Sequence, residues 1–241
     1  MTEELFRADA YLKTCSAIVT AVDAAGVHGG GVRLDRTVFY PMGGGQPGDV
    51  GVLRRADGST VAIADTRKGA APGEIVHVPA PGQPALAVGE AVTAEIDWAR
   101  RHRLMRMHTS LHLLCAVVPA GVTGGQIGDA RSRLDFDVGE LVLDKDEIAR
   151  KLNELIARDA AVAPRWITDA ELAAQPELVR TMSVKPPTGM GKVRLLEIAG
   201  VDLQPCGGTH VRATGEIGPV AIEKIENKGK RNRRVVVALV G

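Results

Sequence analysis

The sequence has few aromatic residues, few cysteines and no long apolar run. Aromatic residues make up 3% of the 241 positions, which disfavours recognition of single-stranded nucleic acid by stacking of bases on exposed rings. Cys15, Cys115 and Cys206 are the three cysteines, and an odd number fits a reducing compartment better than a disulfide framework. No apolar run reaches the roughly 18 residues of a membrane helix, so we expect no membrane partner.

The sequence also lacks an excess of charge of either sign, since its formal net charge is +1. The chain as a whole therefore gives no electrostatic indication of nucleic-acid binding, and local clusters have to carry that argument. The N-terminus carries Glu3 and Glu4 where a signal peptide would carry bases and an apolar segment. From these features we expect a cytoplasmic protein.

The first part of the chain has short β-rich runs separated by glycine and proline clusters. Short strands at such spacing are typical of a small β-barrel. The predicted strands are residues 16–22, 31–40, 50–53, 61–65, 74–78 and 91–97. After Asp97 the apolar period becomes helical, which places a domain boundary there and defines a first domain of residues 1–97.

The second part, residues 98–241, mixes helices and strands. Asp144 followed by Glu147 predicts a helix start, because this spacing can form a capping box. The other predicted helices are residues 98–118 and 169–180, and the predicted strands are 132–137, 140–143, 192–198, 201–204, 219–226 and 234–240. This order predicts an α+β domain with an antiparallel sheet, so the fold class is α+β with an N-terminal β-barrel.

Two pairs of metal-binding residue types have the same internal spacing. His108 and His112 are one helical turn apart on the predicted helix 98–118, and Cys206 and His210 flank a turn with two glycines. Three imidazoles and a thiolate are a donor set that Zn²⁺ prefers, so we predict one zinc site. Four protein ligands are typical of structural zinc, whereas catalytic zinc keeps a position for water, and the pattern leaves both open. Cys115 is interpreted as a core residue.

Two glycine-rich segments are further candidate sites. Gly43, Gly44, Gly45 and Gln46 lie in a segment whose backbone amides can face a phosphate or a carbonyl. Gln126 lies among glycines in residues 124–128, where its amide can hydrogen-bond a small polar group. An ordinary turn is the alternative for the first segment, and an ordinary loop is the alternative for the second.

Basic residues cluster at two places in the second part. One cluster precedes the histidine pair and the other lies at the predicted tip of the last hairpin. A solvated surface is the usual meaning of such runs, but two clusters in one domain favour contact with a phosphate backbone. The first comprises Arg100, Arg101, Arg103 and Arg106, and the second comprises Lys224, Lys228, Lys230, Arg231, Arg233 and Arg234.

Taken in order, these motifs resemble a known family over nearly the whole chain. The glycine motif of residues 43–49, the His108/His112 helix, the strand of residues 133–136 and the Cys206/His210 turn are similar to the editing domain of alanyl-tRNA synthetase. The similarity is strongest to free-standing AlaX-type editing proteins. Threonyl-tRNA synthetase editing domains share the two metal pairs, but the glycine motif favours the alanyl branch.

The resemblance implies a hydrolase that deacylates mischarged tRNA(Ala), chiefly with serine and with glycine as a second candidate, and that has no aminoacylation activity. It implies zinc on His108, His112, Cys206 and His210, and it puts Gln126 close to the active site. Thr109 or Gln126 is the predicted partner of the seryl hydroxyl. Zinc would either activate a water or hold the substrate amino group.

Two other functions fit the residues. One is a non-catalytic, zinc-stabilised tRNA-binding module, because four ligands and basic clusters suit that role. The other is a zinc hydrolase of small esters or peptides, which would need no tRNA.

Overall fold

The computed structural model describes residues 1–23, 30–179 and 191–240. The chain divides into two compact units, Met1–Arg101 and His102–Gly241. None of the helices in the described ranges is both long and apolar enough to cross a membrane.

The first unit is built on a closed barrel of six antiparallel strands in the order β2-β3-β7-β6-β5-β8. Its elements are β1 (Glu3–Glu4), α1 (Leu5–Ala8), β2 (Thr14–Asp23), β3 (Gly31–Leu34), β4 (Arg36–Thr37), β5 (Gly51–Arg55), β6 (Thr60–Lys68), β7 (Ile75–Pro79) and β8 (Ala91–Ile96). The short strands β1 and β4 pair in parallel. The barrel prediction is confirmed.

Alternating side chains fill this barrel, as the sequence period requires. In β8, for example, Val92, Ala94 and Ile96 are buried, and they pack in one cluster with Leu53 and Phe39. The predicted strand 31–40 is in fact two strands, because the chain turns at Asp35 between β3 and β4.

The second unit contains two antiparallel sheets, with orders β14-β15-β10-β9 and β11-β12-β13. Its strands are β9 (Gly121–Gln126), β10 (Arg131–Asp137), β11 (Val162–Thr168), β12 (Lys192–Ile198), β13 (Asp202–Pro205), β14 (Val220–Asn227) and β15 (Asn232–Leu239). The helices are α2 (Trp98–Val117), which begins before the division between the units, α3 (Lys145–Ala157) and α4 (Asp169–Ala173). The α+β class is confirmed.

The predicted N-cap of α3 by Asp144 is confirmed, although the described contacts do not include the Glu147 bond that would complete a capping box. The Asp144 side chain accepts hydrogen bonds from the backbone amides of Asp146 and Glu147, both at 2.9 Å. The apolar face of the helix is buried through Ile148, Leu152 and Ile156. These bonds satisfy amides that a helix start otherwise leaves unpaired.

Two of the predicted elements in the second unit are also wrong in whole or in part. Residues 140–143 form no strand, because Leu141 donates to the Val138 carbonyl in a turn at 2.9 Å and Gly139 has a positive φ of 56°. The predicted helix 169–180 is shorter: α4 ends at Ala173 and a 3₁₀ turn, Pro176–Leu178, follows. Arg180, the predicted end of that helix, lies outside the described residues.

Candidate metal centre

Four side chains converge in the second unit, and they are the two pairs predicted from the sequence. One potential ligand atom from each of His108, His112, Cys206 and His210 lies within 4.8 Å of all the others. Cys206 Sγ is 3.1 Å from His210 Nε2 and 3.5 Å from His108 Nε2. The fold thus brings together two pairs whose members are 94 to 102 positions apart in the sequence.

Helix α2 supplies the first pair. The four-residue step places the rings of His108 and His112 on one side of the helix, with ring centres 5.4 Å apart. Both histidines are buried, and Leu104, Met107 and Leu111 are buried on the same helix. The second pair follows β13, where the chain turns through Gly207 and Gly208.

A buried carboxylate orients His112. Asp202 Oδ2 lies 3.2 Å from His112 Nδ1 and also accepts a hydrogen bond of 2.6 Å from Gln204 Nε2. Because the carboxylate accepts the Nδ1 proton, His112 presents Nε2 to the cluster. A carboxylate that fixes the ring of a metal-binding histidine in this way is a common feature of zinc sites.

A buried hydroxyl orients His210. Thr109 Oγ1 donates to the Met105 carbonyl at 2.9 Å and lies 3.2 Å from His210 Nδ1. A hydroxyl has a single proton, so with that proton on the Met105 carbonyl it accepts from Nδ1–H. His210 therefore carries its proton on Nδ1 and presents Nε2 toward Cys206, consistent with the 3.1 Å contact.

Burial and mutual proximity set the protonation of the cluster. Burial alone would raise the pKa of the Cys206 thiol, but the neighbouring His108 and His210 and hydrogen bonds to histidines hold it well below its usual value. Burial opposes charge on His112, yet its bonds to Asp202 and Cys206 prevail and raise its pKa to about 9. Burial, together with His108, lowers the pKa of His210 to about 3. Cys206 as a thiolate and His210 as a neutral imidazole are thus in the donor forms that a metal requires, whereas the raised pKa of His112 means that a metal would have to displace a proton from this ring.

The donor set and its spacing suit a tetrahedral ion. Bonds of about 2.0–2.3 Å to nitrogen and sulfur imply ligand separations of roughly 3.3–3.6 Å, near the observed Cys206 contacts. His108, His112 and His210 are at most 7% exposed, whereas Cys206 is only half-buried.

The predicted glycine motif in the first unit forms a tight turn. Gly43 and Gln46 exchange backbone hydrogen bonds of 3.0 Å, and Gly44 and Gly45 have positive φ values of 57° and 82°. Such a turn requires residues without a Cβ at its centre. Gly44 and Gly45 are exposed, whereas Gln46 is fully buried. The amides that can face a ligand are therefore those of Gly44 and Gly45.

An internal ion pair holds the end of this motif. Asp49 accepts hydrogen bonds from the Tyr40 amide and from the guanidinium of Arg101, and both charged side chains are almost completely buried. Arg101 also donates to the Val38 carbonyl at 2.7 Å. The interpretation of Arg101 as a phosphate contact in the first basic cluster is therefore wrong, because its guanidinium is buried and paired with Asp49 inside the barrel unit.

Gln126 is the last residue of β9, so residues 124–126 form part of a strand and not the ordinary loop that was the alternative for this segment. It is exposed and lies opposite Arg133 in the register of β9 and β10. Its predicted role beside the active site stays a prediction.

Acidic partners neutralise much of the hairpin cluster. Arg234 forms a bidentate ion pair with Asp135, with distances of 2.8 and 2.9 Å. Arg231 forms a second bidentate pair with Asp137, at 2.9 and 3.2 Å. Lys224 and Lys228 both lie near Glu226.

The other two cations of the cluster have no such contact among those described. Lys230 is exposed at the tip of the hairpin, and Arg233 donates to the Gly229 and Asn232 carbonyls. The local positive charge is smaller than the sequence indicates.

Two residues that contact the cluster or its ligand turn were not predicted from the sequence. Asp202 orients His112, as described above. Arg194 on β12 donates from Nη1 to the Cys206 carbonyl at 2.7 Å and to the Gly208 carbonyl at 3.3 Å, which fixes the ligand turn. Isolated charged residues in strands give no signal of such roles, although Asp202 begins the strand that leads directly to Cys206.

Comparison with known families identifies the class of this protein. Residues 193–236 match the family described as threonyl and alanyl tRNA synthetase second additional domain. Residues 10–100 match the family described as tRNA synthetases class II (A). A barrel unit and an α+β unit with a His/Cys cluster, each matching such a family, define a relative of class II synthetases.

Full-length relatives narrow this class. The chain is 38% identical to the alanyl-tRNA editing protein AlaX-M of Methanosarcina mazei, over 100% of this chain and 97% of the relative. It is 36% identical to the AlaX-M protein of Saccharolobus solfataricus, over 98% of both chains. It is 36% identical to the alanine–tRNA ligase of Pyrobaculum calidifontis over 93% of this chain but only 25% of the ligase. The chain belongs to the alanyl-tRNA editing proteins of the AlaX-M type.

Proposed function

We propose that this protein is a zinc-dependent, cytoplasmic deacylase that hydrolyses mischarged tRNA(Ala) in trans, chiefly Ser-tRNA(Ala) and secondly Gly-tRNA(Ala). The observation that carries the proposal is the cluster of three imidazoles and a thiolate in a chain of the alanyl-tRNA editing family. Residues 98–241 would form the editing domain, and residues 1–97 would carry the glycine turn.

The side chains of the cluster and their neighbours have different proposed roles. His108, His112, Cys206 and His210 would hold zinc, which when bound supplies a Lewis acid for the ester or lowers the pKa of a water. Asp202 and Thr109 keep the protons of His112 and His210 on Nδ1, so that both rings present Nε2. Cys206, the most accessible of the four, marks the side from which the ester enters.

Selection of serine over alanine requires a group that binds the seryl hydroxyl. A site built to bond that hydroxyl rejects alanine, because alanine leaves a buried polar group unpaired. The Thr109 hydroxyl already bonds Met105 and His210, which supports a positioning role for it. Of the two predicted candidates, Gln126 is therefore the one we favour for the seryl hydroxyl; because its side chain is exposed, bound substrate has to cover the amide before an unpaired group carries this cost.

Contacts to the tRNA backbone are assigned to the hairpin and the glycine turn. Lys228, Lys230, Arg231, Arg233 and Arg234 are the proposed tRNA-binding residues, and Lys230 is exposed at the tip of the hairpin, where a phosphate can reach it. The amides of Gly44 and Gly45 are proposed to face a phosphate or a carbonyl of the substrate.

Cys206→Ala tests the enzyme against the two alternative functions. As an enzyme, the variant should lose deacylation of Ser-tRNA(Ala) while circular dichroism shows a folded chain. A structural zinc module predicts instead that the variant unfolds as the metal is lost. A hydrolase of small esters predicts turnover of ester substrates without tRNA. Cys15→Ala is the matched control, because this half-buried cysteine lies in the barrel unit.

A further inference from the structure

Trp166 is an exposed aromatic side chain in a chain with only two tryptophans. It lies on β11, the edge strand of the sheet β11-β12-β13, and is 51% exposed. The other tryptophan, Trp98, packs against Tyr11 with ring centres 5.3 Å apart. Single exposed apolar side chains are common on protein surfaces, so it is the position of this indole on the sheet that indicates a role for it.

The strand register connects Trp166 to the metal cluster. Trp166 lies directly opposite Arg194 on β12. On the other side of Arg194 lies Cys206, because Leu195 pairs with Pro205 and the Cys206 amide donates to the Arg194 carbonyl at 3.1 Å. Residues directly opposite one another in an antiparallel sheet point to the same face. Trp166, Arg194 and Cys206 therefore form one row on one face.

Neighbouring residues show which face this is. Asp202 and Gln204 lie four and two residues before Cys206 and therefore on the same face of the sheet, and they contact His112 and each other on the metal side. Positions of opposite parity, including Leu195 and Ile167, pack in a cluster with Leu172 on the other side of the sheet. The indole thus stands on the same face as the metal ligands.

Distance and charge suit a nucleotide. Two strand spacings put the Trp166 backbone roughly 10 Å from that of Cys206, a span comparable with one nucleotide. Arg194 stands between them, and Lys192, two residues earlier on β12, is exposed on the same face. A flat ring with the exposed cation of Lys192 nearby matches a base and its phosphate, while Arg194, whose Nη1 donates to the Cys206 and Gly208 carbonyls, ties the row to the ligand turn.

We infer that Trp166 is the platform on which the base of the 3′-terminal tRNA nucleotide stacks while the ester on its ribose lies at the Cys206 side of the metal cluster. This inference rests on the proposed function. The scarcity of aromatic residues disfavours binding of a long single strand, but one terminal base needs only one ring.

Kinetics of Trp166→Ala and Trp166→Phe on Ser-tRNA(Ala) test the inference. Loss of one stacked base should raise KM by about 5- to 100-fold, with a much smaller change in kcat. Trp166→Phe should restore most of the affinity, because phenylalanine still offers a flat ring. The control is Val142→Ala, which trims an apolar side chain that is 88% exposed in the same unit. An unchanged KM in Trp166→Ala, or a Trp166→Phe variant as poor as Trp166→Ala, overturns the inference.

Fluorescence separates this inference from the proposed activity. In a Trp98→Phe background Trp166 is the only tryptophan, and uncharged tRNA(Ala) should quench it, whereas the same tRNA without its terminal nucleotide should not. Equal quenching by both RNAs overturns the inference even if deacylation is found. Selective quenching by the complete tRNA supports it even if the protein deacylates nothing, in which case only the proposed function fails. A wild-type dimer that Trp166→Ala converts to monomers would show instead that a second copy covers the indole, which also overturns it.

Discussion

Replacement of Thr109 by valine tests how the cluster is held. Valine keeps the shape of the side chain but removes the hydroxyl that accepts from His210 Nδ1. Thr109 is completely buried, so no water can readily replace the hydroxyl. His210 would then either leave a buried N–H unpaired or move its proton to Nε2, the nitrogen that faces Cys206. Either change opposes metal binding.

The expected loss of zinc affinity follows from the cost of removing the hydrogen-bond partner of His210. Removal of a group that orients a metal-binding histidine typically weakens metal affinity about 10- to 100-fold, or about 1.4–2.7 kcal/mol. Proton competition at His210 does not obscure the result at neutral pH, because the pKa of this ring is about 3. We therefore expect Thr109→Val to bind Zn²⁺ about 10- to 100-fold more weakly at pH 7.

Competition with a chromophoric chelator measures this affinity, and the neighbouring residue provides the control. Ser110 is also a fully buried hydroxyl on α2, but it donates to the Met107 carbonyl at 2.8 Å. Ser110→Ala should leave zinc affinity unchanged. Equal zinc affinity in Thr109→Val and Ser110→Ala would refute the reasoning. If Thr109→Val instead keeps its zinc affinity and changes only the ratio of serine to alanine hydrolysis, Thr109 binds the substrate hydroxyl.

Three further predictions concern the barrel and the hairpin. Burial lowers the pKa of His77 to about 4 from 6.5, so the unfolded chain takes up the proton first as pH falls. The stability of the barrel should therefore drop by about 3 kcal/mol between about pH 6.5 and 4 in denaturant titrations, and His77→Gln should flatten this dependence. Asp49→Asn should cost about 3–5 kcal/mol in the same titrations, because it leaves the buried Arg101 charge without its carboxylate; a cost below that of an exposed pair would contradict this. Lys230→Ala should lower the salt slope of tRNA binding by about one, whereas Arg234→Gln should change it less because Asp135 already pairs with that cation; equal slopes would contradict the assignment.

Features encoded by local spacing could be predicted from the sequence. The four-residue steps of His108/His112 and Cys206/His210 predicted the four side chains that converge, and Asp144 with Glu147 predicted the start of α3. In both cases the residues that act together lie three or four positions apart, and in the first case they are also of the residue types that bind metals.

Features that depend on the tertiary fold could not be predicted. Asp202 contacts His112 across 90 positions, and nothing in its local sequence distinguishes it from a surface acid. Strand β11 was missed because five of its seven residues are exposed and it contains Pro164, so its pattern does not alternate. Residues 140–143 look like a strand by composition, but a turn at Gly139 prevents pairing.

Hydrolysis of charged tRNA by zinc-loaded protein is the most direct test of the central claim. Ser-, Gly- and Ala-tRNA(Ala) would be compared in one preparation whose zinc content is measured on the same sample. We predict release of serine, slower or no release of alanine, and loss of activity when a chelator removes the metal. Zinc-loaded protein that releases no serine, or that releases serine equally well after the zinc has been removed, would contradict the account.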